Sequence, residues 1–528
     1  MNVIDQTAGF SLADAPRHYG RECPDKPALV FEDLTLTYHE LDEESSRVAN
    51  ALQGAGIGPG DRVAFVGKNI PEFFTFTYGA AKLNAVTVGV NWRLAPPEIA
   101  FILDDAEVEV VVFDAEFLGH LDAIELKRNP LIIVIGGDGK YPEYGDWIAG
   151  HSDEDPGVQA EPDDTALQVY TSGTTGHPKG AELSHRNLGA SFVALNAFNG
   201  LNADTILLHV LPMFHIGGNS AAFLGLSHGC TNIVRRQLDP ADMVNAIAEH
   251  GVTNLMMVPA VLQVILSLPH VRDVDLSSVK LVQYGASPIS EEILQAAMDL
   301  FGCPLLQTYG LTEASGPVTY LPPEDHDPGG PRAHLMLSAG KPIPGTEIRI
   351  VRTDGKDAAE GEVGEIWARS YQNMKGYWKN PEATAAAFPE GRDADGLGWM
   401  ATGDAGTIEG GYLFIRDRVK DMIVSGGENI YPAEIENVLM SHPSVADTAV
   451  IGIPSEKWGE SPLAYIVPVP GHDPDPQDII NYCSERLARY KLLRDVKCIA
   501  EIPRNPSGKI QKVELRKPYW KGHDRAIN

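Results

Sequence analysis

The sequence predicts an α/β protein. A large N-terminal domain combines two α/β sheet subdomains with a small β-barrel-like subdomain, and a smaller α+β C-terminal domain follows. Three observations predict this. Strand-like apolar runs alternate with helical patterns through the first four hundred residues, as parallel sheets covered by helices require. After about Leu335 short β runs separated by glycine and proline take over. Beyond the charged stretch from Arg416 to Asp421 the pattern changes again, to mixed helices and strands. These changes divide the chain into 1–417 (β-rich from about 335 to 417), a connector at 418–421 and a domain at 422–528, the last of a size usual for one folding unit.

The elements follow in order. Val63 to Val66 is a short apolar run after the turn Gly58-Pro59-Gly60-Asp61. A long amphipathic stretch, Pro71 to Leu83, comes next, then the β-branched run from Val110 to Phe113. Leu167 to Tyr170 is strand-like, and Ser184 is placed to cap a helix. Leu281 to Tyr284 reads as a strand that breaks at Gly285-Ala286-Ser287-Pro288. Ser290 then caps a helix whose first turn carries Glu291 and Glu292, favourable at the positive helix end. Ile293, Leu294, Ala297, Met298 and Phe301 share one face, and Gly302 ends the helix. Pro304 to Gln307 begins the next strand. A right-handed βαβ unit would bring Gly285 to Ser287 and Thr308 to Glu313 to one edge, where ligands bind in open α/β sheets. Further on, Ile348 to Val351, Glu365 to Trp367 and Tyr412 to Ile415 read as strands, Ala433 to Met440 as a helix and Thr448 to Ile453 as a strand. Ile479, Ile480, Cys483 and Leu487 form one face of a last helix.

Composition limits the function. Hydrophobic residues make up 43% of the chain, enough for a full core. The net charge of −30 argues against nucleic acid as a partner. The five cysteines are scattered without a CxxC pair, which fits a reducing compartment and not a zinc site. No apolar run approaches the length of a membrane helix, and the first residues lack a signal-peptide core. The expectation is a cytoplasmic protein without a transmembrane segment; peripheral membrane contact, and monomer or homodimer, stay open.

The strongest local signal is Thr171-Ser172-Gly173-Thr174-Thr175-Gly176-His177-Pro178-Lys179-Gly180. Four hydroxyl side chains and three glycines in ten residues suit a loop wrapping phosphates. Lys179 adds a point charge. The spacing is not that of a Walker loop, because Pro178 stands where its glycine is required. Composition alone leaves a flexible surface loop equally open.

The segment resembles the phosphate loop of the adenylate-forming superfamily of acyl-CoA synthetases, adenylation domains and luciferases. Further matching segments follow in the family's order: PMFHIGG at Pro212, YGASP at Tyr284, QTYGLTEA at Gln307, ATGDAG at Ala401, FIRDRVKDMIVSGGENIYPAEIE at Phe414 and NPSGKIQK at Asn505. The likeness covers nearly the whole chain and is greatest to bacterial medium- and long-chain fatty-acyl-CoA synthetases.

The resemblance implies an ATP-dependent carboxylic acid–CoA ligase with Mg2+ as cofactor and ATP and CoA as co-substrates. It implies that Thr171, Ser172, Gly173, Thr174, Thr175 and Lys179 hold phosphates, with Thr175 also near the metal. Gly285, Ala286 and Ser287 would border the adenine, with Thr308, Tyr309 and Gly310; Tyr309 would stack on the base. Thr312 would touch the α-phosphate and Glu313 would help hold Mg2+. Asp404 and Arg418 would reach the ribose, and Lys509 would bridge the reacting carboxylate and the α-phosphate. His215 would gate the acyl tunnel. Lys420 would be the hinge pivot, bringing Gly426 and Gly427 to the CoA channel in the second half-reaction. Taken alone, several of these residues have ordinary readings: Asp404 as a turn residue, Tyr309 and His215 as packing, Glu313 as an exposed carboxylate, Lys509 as a solvated lysine. Phe214-His215, where amino-acid-activating relatives carry an acid, favours a substrate without an α-amino group. The acyl pocket is expected around Met256 to Val261 and Gly310 to Gly316, for a medium- or long-chain fatty acid; steroid side-chain or aryl acids, or loading of a carrier protein, are the alternatives. Arg235 and Arg236 could meet CoA phosphates or simply be solvated.

Overall fold

The computed structural model describes residues 9–137, 139–171, 178–287, 289–425, 428–455, 457–504 and 510–520. The chain divides into two compact units, Met1–Ile348 with Ala368–Met400, and Arg349–Trp367 with Ala401–Asn528.

The first unit contains two sheets. The seven-stranded sheet has the order Gly376–Tyr377, Lys179–Ser184, Thr165–Thr171, Val86–Val90, Arg62–Val66, Val110–Asp114, Leu131–Ile135. From Thr165–Thr171 onward its strands run parallel. The two strands at the other end are antiparallel additions. In the nine-stranded sheet, Leu305–Leu311, Leu281–Gly285, Asn254–Met257, Ile206–His209, Thr231–Val234 and Pro27–Phe31 run parallel. Antiparallel strands extend this sheet at both ends.

Helix Pro71–Lys82 departs from the amphipathic expectation. Every residue from Phe73 to Lys82 is buried, so no polar face meets water. Phe73, Phe74 and Phe76 belong to the main core, each contributing roughly 1.5–3 kcal/mol by its burial. Lys82 ends the helix fully buried, its ammonium donating to the Asp42 carboxylate at 2.6 Å, the Asp42 carbonyl at 2.7 Å and Ser46 Oγ at 2.7 Å. Three acceptors make the buried charge tolerable.

The βαβ unit forms as expected. Ser290 Oγ accepts from the Ile293 N–H at the start of helix Glu291–Phe301, and Gly302 closes it at φ 61°. Leu294, Ala297 and Phe301 are buried. The flanking strands pair in parallel with Gly285 opposite Thr308.

In the second unit, strands Met400–Glu409 and Tyr412–Arg418 pair antiparallel, with Asp404 opposite Arg418. Thr402-Gly403-Asp404 is therefore not a turn: it lies within a strand, at an irregular stretch with Gly403 at φ 76° and a register shift after Ala405. Glu428–Ile430, Ile423–Ser425, Gly459–Pro468 and Val445–Ser455 form another sheet, to which Asp495–Cys498 adds in parallel. Helices Pro432–Met440 and Pro476–Ser484 pack on it through Ile435, Leu439, Ile479 and Cys483, so Cys483 has the packing role its position implies. Among the described residues, no helix is long and apolar enough to cross a membrane.

Candidate active site

The glycine- and threonine-rich segment is flanked by two paired strands. Strand Thr165–Thr171 enters it, and strand Lys179–Ser184 leaves it antiparallel, with Thr171 opposite Lys179. The second strand intervenes before the helix capped by Ser184, so this is not the strand–loop–helix arrangement of a Walker loop. Ser172, Gly173, Thr174 and Thr175 lie outside the described residues, as do Lys509, Gly426 and Gly427.

Glu313 sits beside the hairpin mouth. Its Oε1 accepts a hydrogen bond from Thr171 Oγ1 at 3.2 Å and another from the Tyr377 hydroxyl at 2.9 Å. The Met374 N–H donates to the Glu313 carbonyl at 2.7 Å, fixing its backbone. The Lys179 ammonium lies over the Tyr377 ring, 5.1 Å from its centre. Burial and the Glu313 carboxylate both push the Tyr377 hydroxyl above its ordinary pKa, so it stays protonated and donates. A hydroxyl, an ammonium and a carboxylate thus converge from three separate stretches of sequence. Tyr377 was not among the candidates; it stands 64 residues from Glu313, and no local motif marks it.

The adenine candidates occupy the carboxyl edge of the nine-stranded sheet. Gly285 faces Thr308 so closely that a Cβ on it would lie 2.2 Å from the Thr308 carbonyl oxygen. Thr308 is buried, its Oγ1 accepting from Gln283 Nε2 at 3.1 Å. Beyond Gly285 the chain turns through Ala286 at φ 69°, a left-handed conformation uncommon for alanine, and both Ala286 and Ser287 are exposed. Tyr309 and Gly310 lie at a register shift in the pairing with Gly316–Leu321. A side chain at 310 would strike the Gly316 carbonyl at 2.1 Å. Thr312 and Glu313 follow in a single 3-10 turn, with Thr312 buried. One strand and the turn after it thus link the adenine candidates to Glu313.

His215 caps helix Ile216–Leu226, its Nδ1 accepting from the Gly217 N–H at 3.3 Å. Gly217 and Gly218 differ sharply. A Cβ at Gly218 would lie 2.2 Å from the Pro212 carbonyl oxygen, whereas one at Gly217 would meet nothing nearer than His215 Nδ1 at 3.6 Å, with Met256 Cε at 4.0 Å. Arg235 and Arg236 are each held in an ion pair. Arg235 pairs with Asp242 at 3.2 Å and Arg236 with Asp114 at 2.7 Å.

Within the second unit, Arg418 Nε approaches Asp404 Oδ1 at 3.3 Å, and Asp404 is largely buried. Lys420 lies in the 3-10 turn Val419–Asp421. Burial, with nearby Arg418, lowers its pKa. Its carbonyl accepts from Arg516 at 3.2 Å, and Arg516 also pairs with Asp421. Lys512 Nζ holds Glu436 at 2.8 Å and Asp417 at 3.7 Å. Burial raises the Asp417 carboxyl to about 6, against the opposing pull of Lys512.

A family model described as AMP-binding enzyme matches residues 17–378, and one described as AMP-binding enzyme C-terminal domain matches 434–509. The fatty acid–[acyl-carrier-protein] ligase ScoC of Streptomyces coeruleorubidus is 39% identical over 525 residues, 98% of each chain. The long-chain-fatty-acid–CoA ligase FadD13 of Mycobacterium tuberculosis is 38% identical, covering 92% of this chain and 94% of that one. Among solved structures, an anthranilate CoA ligase, AuaEII, in complex with anthranoyl-AMP aligns with TM-score 0.88 at 28% identity, over 98% of this chain and 99% of that one. With residues 17–378 and 434–509 matched, the chain belongs to the AMP-binding enzyme family.

Proposed function

We propose that the chain is an AMP-forming carboxylic acid–CoA ligase acting in the cytoplasm on medium- or long-chain fatty acids. One observation carries the reading: Thr171, Lys179 and Glu313 converge at a glycine- and threonine-rich loop in a chain collinear with acid–thiol ligases over nearly its whole length.

In the first half-reaction a carboxylate oxygen of the acid bonds to the α-phosphorus of ATP, and the bond to pyrophosphate breaks. In the second, the CoA sulfur bonds to the acyl carbon, AMP leaves, and the thiol proton passes to solvent. Thr171 and Lys179, with Ser172, Gly173, Thr174 and Thr175, would bind the β- and γ-phosphates. Glu313 fits Mg2+, a hard cation that takes oxygen ligands and is held by one or two carboxylates together with substrate phosphates. Glu313 would hold it with Thr175, and the ion would offset phosphate charge. Thr312 would donate to the α-phosphate, and Gly285 to Ser287 with Thr308 to Gly310 would frame the base. Asp404, ionised, can accept from both ribose hydroxyls, each such hydrogen bond contributing about 1.5–3 kcal/mol; Arg418, beside it, would add a donor. Lys509 would stabilise the charge shared by carboxylate and phosphate. The segment 418–421 would act as hinge between the 1–417 and 422–528 domains, and Gly426 and Gly427 would border the CoA channel.

Lys509→Ala tests the assignment. It should abolish acid-dependent pyrophosphate exchange yet still make thioester from supplied acyl-adenylate; equal loss of both rejects the role. The 39% identity to a carrier-protein ligase favours a second reading, in which a phosphopantetheinyl carrier protein is the acceptor. Offering CoA and such a carrier together, and measuring which is acylated, separates the two.

A further inference from the structure

Tyr377 belongs to no motif used above, yet it touches two of the proposed phosphate-side residues. It lies on the short strand Gly376–Tyr377, opposite Ala181 of the hairpin strand that leaves the loop. Its backbone is held on both sides. The Tyr377 N–H donates to Thr384 Oγ1 at 2.9 Å, and the Trp378 N–H donates to the Gly180 carbonyl at 2.8 Å. The next residue, Trp378, lies just past the strand and anchors its end. The Arg62 guanidinium stacks 3.4 Å from the Trp378 ring centre, and the indole N–H donates to the Asp105 carbonyl at 2.9 Å. The packing of Trp378 and the two backbone hydrogen bonds thus hold the end of this strand in place, with the Tyr377 hydroxyl on Glu313.

The hydrogen bonds to the Glu313 carboxylate among the described residues all fall on Oε1, from Tyr377 and Thr171. Two hydroxyl donors on one oxygen fix the plane of the carboxylate and leave Oε2 as the oxygen free to turn to a cation. The Tyr377 ring also lies under the Lys179 ammonium, where the face of an aromatic ring attracts a cation. We propose that Tyr377 is a positioning residue that sets the orientation of the metal-binding carboxylate of Glu313 and the seat of the Lys179 ammonium, so that the strength of metal-assisted ATP binding depends on its hydroxyl. This rests on the reading of Glu313 as the Mg2+ carboxylate.

The test is calorimetric and needs no turnover. ATP binding to the full-length protein is titrated with excess Mg2+ and with EDTA, and the ratio of the two Kd values measures the metal's contribution. Tyr377→Phe keeps the ring under Lys179 and removes only the hydroxyl. It should reduce that ratio by about tenfold, the size expected for a hydrogen bond to a charged group, with the metal-free Kd and the melting temperature unchanged. Tyr377→Leu removes the ring as well and should also weaken metal-free ATP binding. Glu313→Gln serves as the reference. If Glu313→Gln collapses the ratio and Tyr377→Phe leaves it at the wild-type value, the positioning role is wrong while the reading of Glu313 stands. If Glu313→Gln leaves the ratio intact, the reading of Glu313 itself fails. A Tyr377→Phe protein that melts earlier and binds ATP equally poorly with and without Mg2+ would make the hydroxyl a general packing contact and overturn the proposal.

Discussion

Two adjacent glycines should respond oppositely to the same methyl group. At Gly218 a Cβ would lie 2.2 Å from the Pro212 carbonyl oxygen, 2.7 Å from its carbon and 2.8 Å from the Leu211 carbonyl oxygen. All three are backbone atoms, so relief requires more than 1 Å of main-chain movement, since carbon atoms pack at about 3.5–4.0 Å from their neighbours. The turn that would move also holds His215, whose N–H donates to the Pro212 carbonyl and whose carbonyl accepts from the Gly218 N–H. Overpacking of this kind costs about 1–3 kcal/mol or more. At Gly217 the nearest atoms are at ordinary contact distance, and alanine is the better helix former, by up to about 1 kcal/mol in a helix interior. Gly218→Ala should therefore melt several degrees below wild type and lose adenylate formation, read as hydroxamate trapped with hydroxylamine. Gly217→Ala should melt at or slightly above wild type, and any change in its hydroxamate yield should depend on the chain length of the acid. Equal melting temperatures for the two variants, or a Gly218→Ala protein indistinguishable from wild type, would refute the reasoning.

Other outcomes follow from the same geometry. Burial pushes His185 and His209 down to about 4, while an unfolded imidazole titrates near 6.5. Stability present above pH 6.5 is thus lost as the pH falls through 4, by at most roughly 3 kcal/mol for each imidazole. Thermal melts from pH 7 to 4 should show the loss, and His209→Gln should make it shallower. Asp417 works in the opposite sense: its raised folded pKa of about 6 contributes stability that is present below the ordinary carboxyl range and lost as the pH rises through 6. Lys512→Met would leave the Asp417 and Glu436 carboxylates without their shared cation. Breaking a buried pair this way costs about 3–5 kcal/mol, seen as early proteolysis of the second unit. Asp404→Ala should raise the ATP KM at least about tenfold through lost ribose contacts without shifting the melting temperature by more than a degree or two; an unchanged KM would remove Asp404 from the site.

Much of this was legible in the sequence because some signals are local. Ser290, the apolar stripe through Leu294, Ala297 and Phe301, and Gly302 each act within a few residues, so the helix could be read. Parallel βαβ topology then carried Gly285 to Thr308. The loop Thr171 to Gly180 was legible by composition, but the strand after it was not. Lys179–Ser184 carries small and polar side chains in place of a β-branched run, and it forms because its backbone groups pair with Thr165–Thr171. The burial of Pro71–Lys82 was also hidden. Thr75, Thr77 and Lys82 look like a polar face, and only the tertiary partners Tyr144, Asp42 and Ser46 explain how Thr75 and Lys82 are satisfied inside. Tyr377 was invisible for a related reason: its meaning lies in a contact with Glu313 that no spacing rule predicts. Thr402-Gly403-Asp404 misled because glycine and aspartate mark turns more often than irregular strands.

The central claim is that a carboxylic acid is activated on ATP before any thiol takes part. Exchange of radiolabelled pyrophosphate into ATP, with Mg2+ and no CoA, isolates that step. Exchange should be absent without acid and appear with medium- or long-chain fatty acids at rates well above those with acetate. Exchange that never rises above the acid-free background, across fatty, aryl and steroid side-chain acids, would contradict the account.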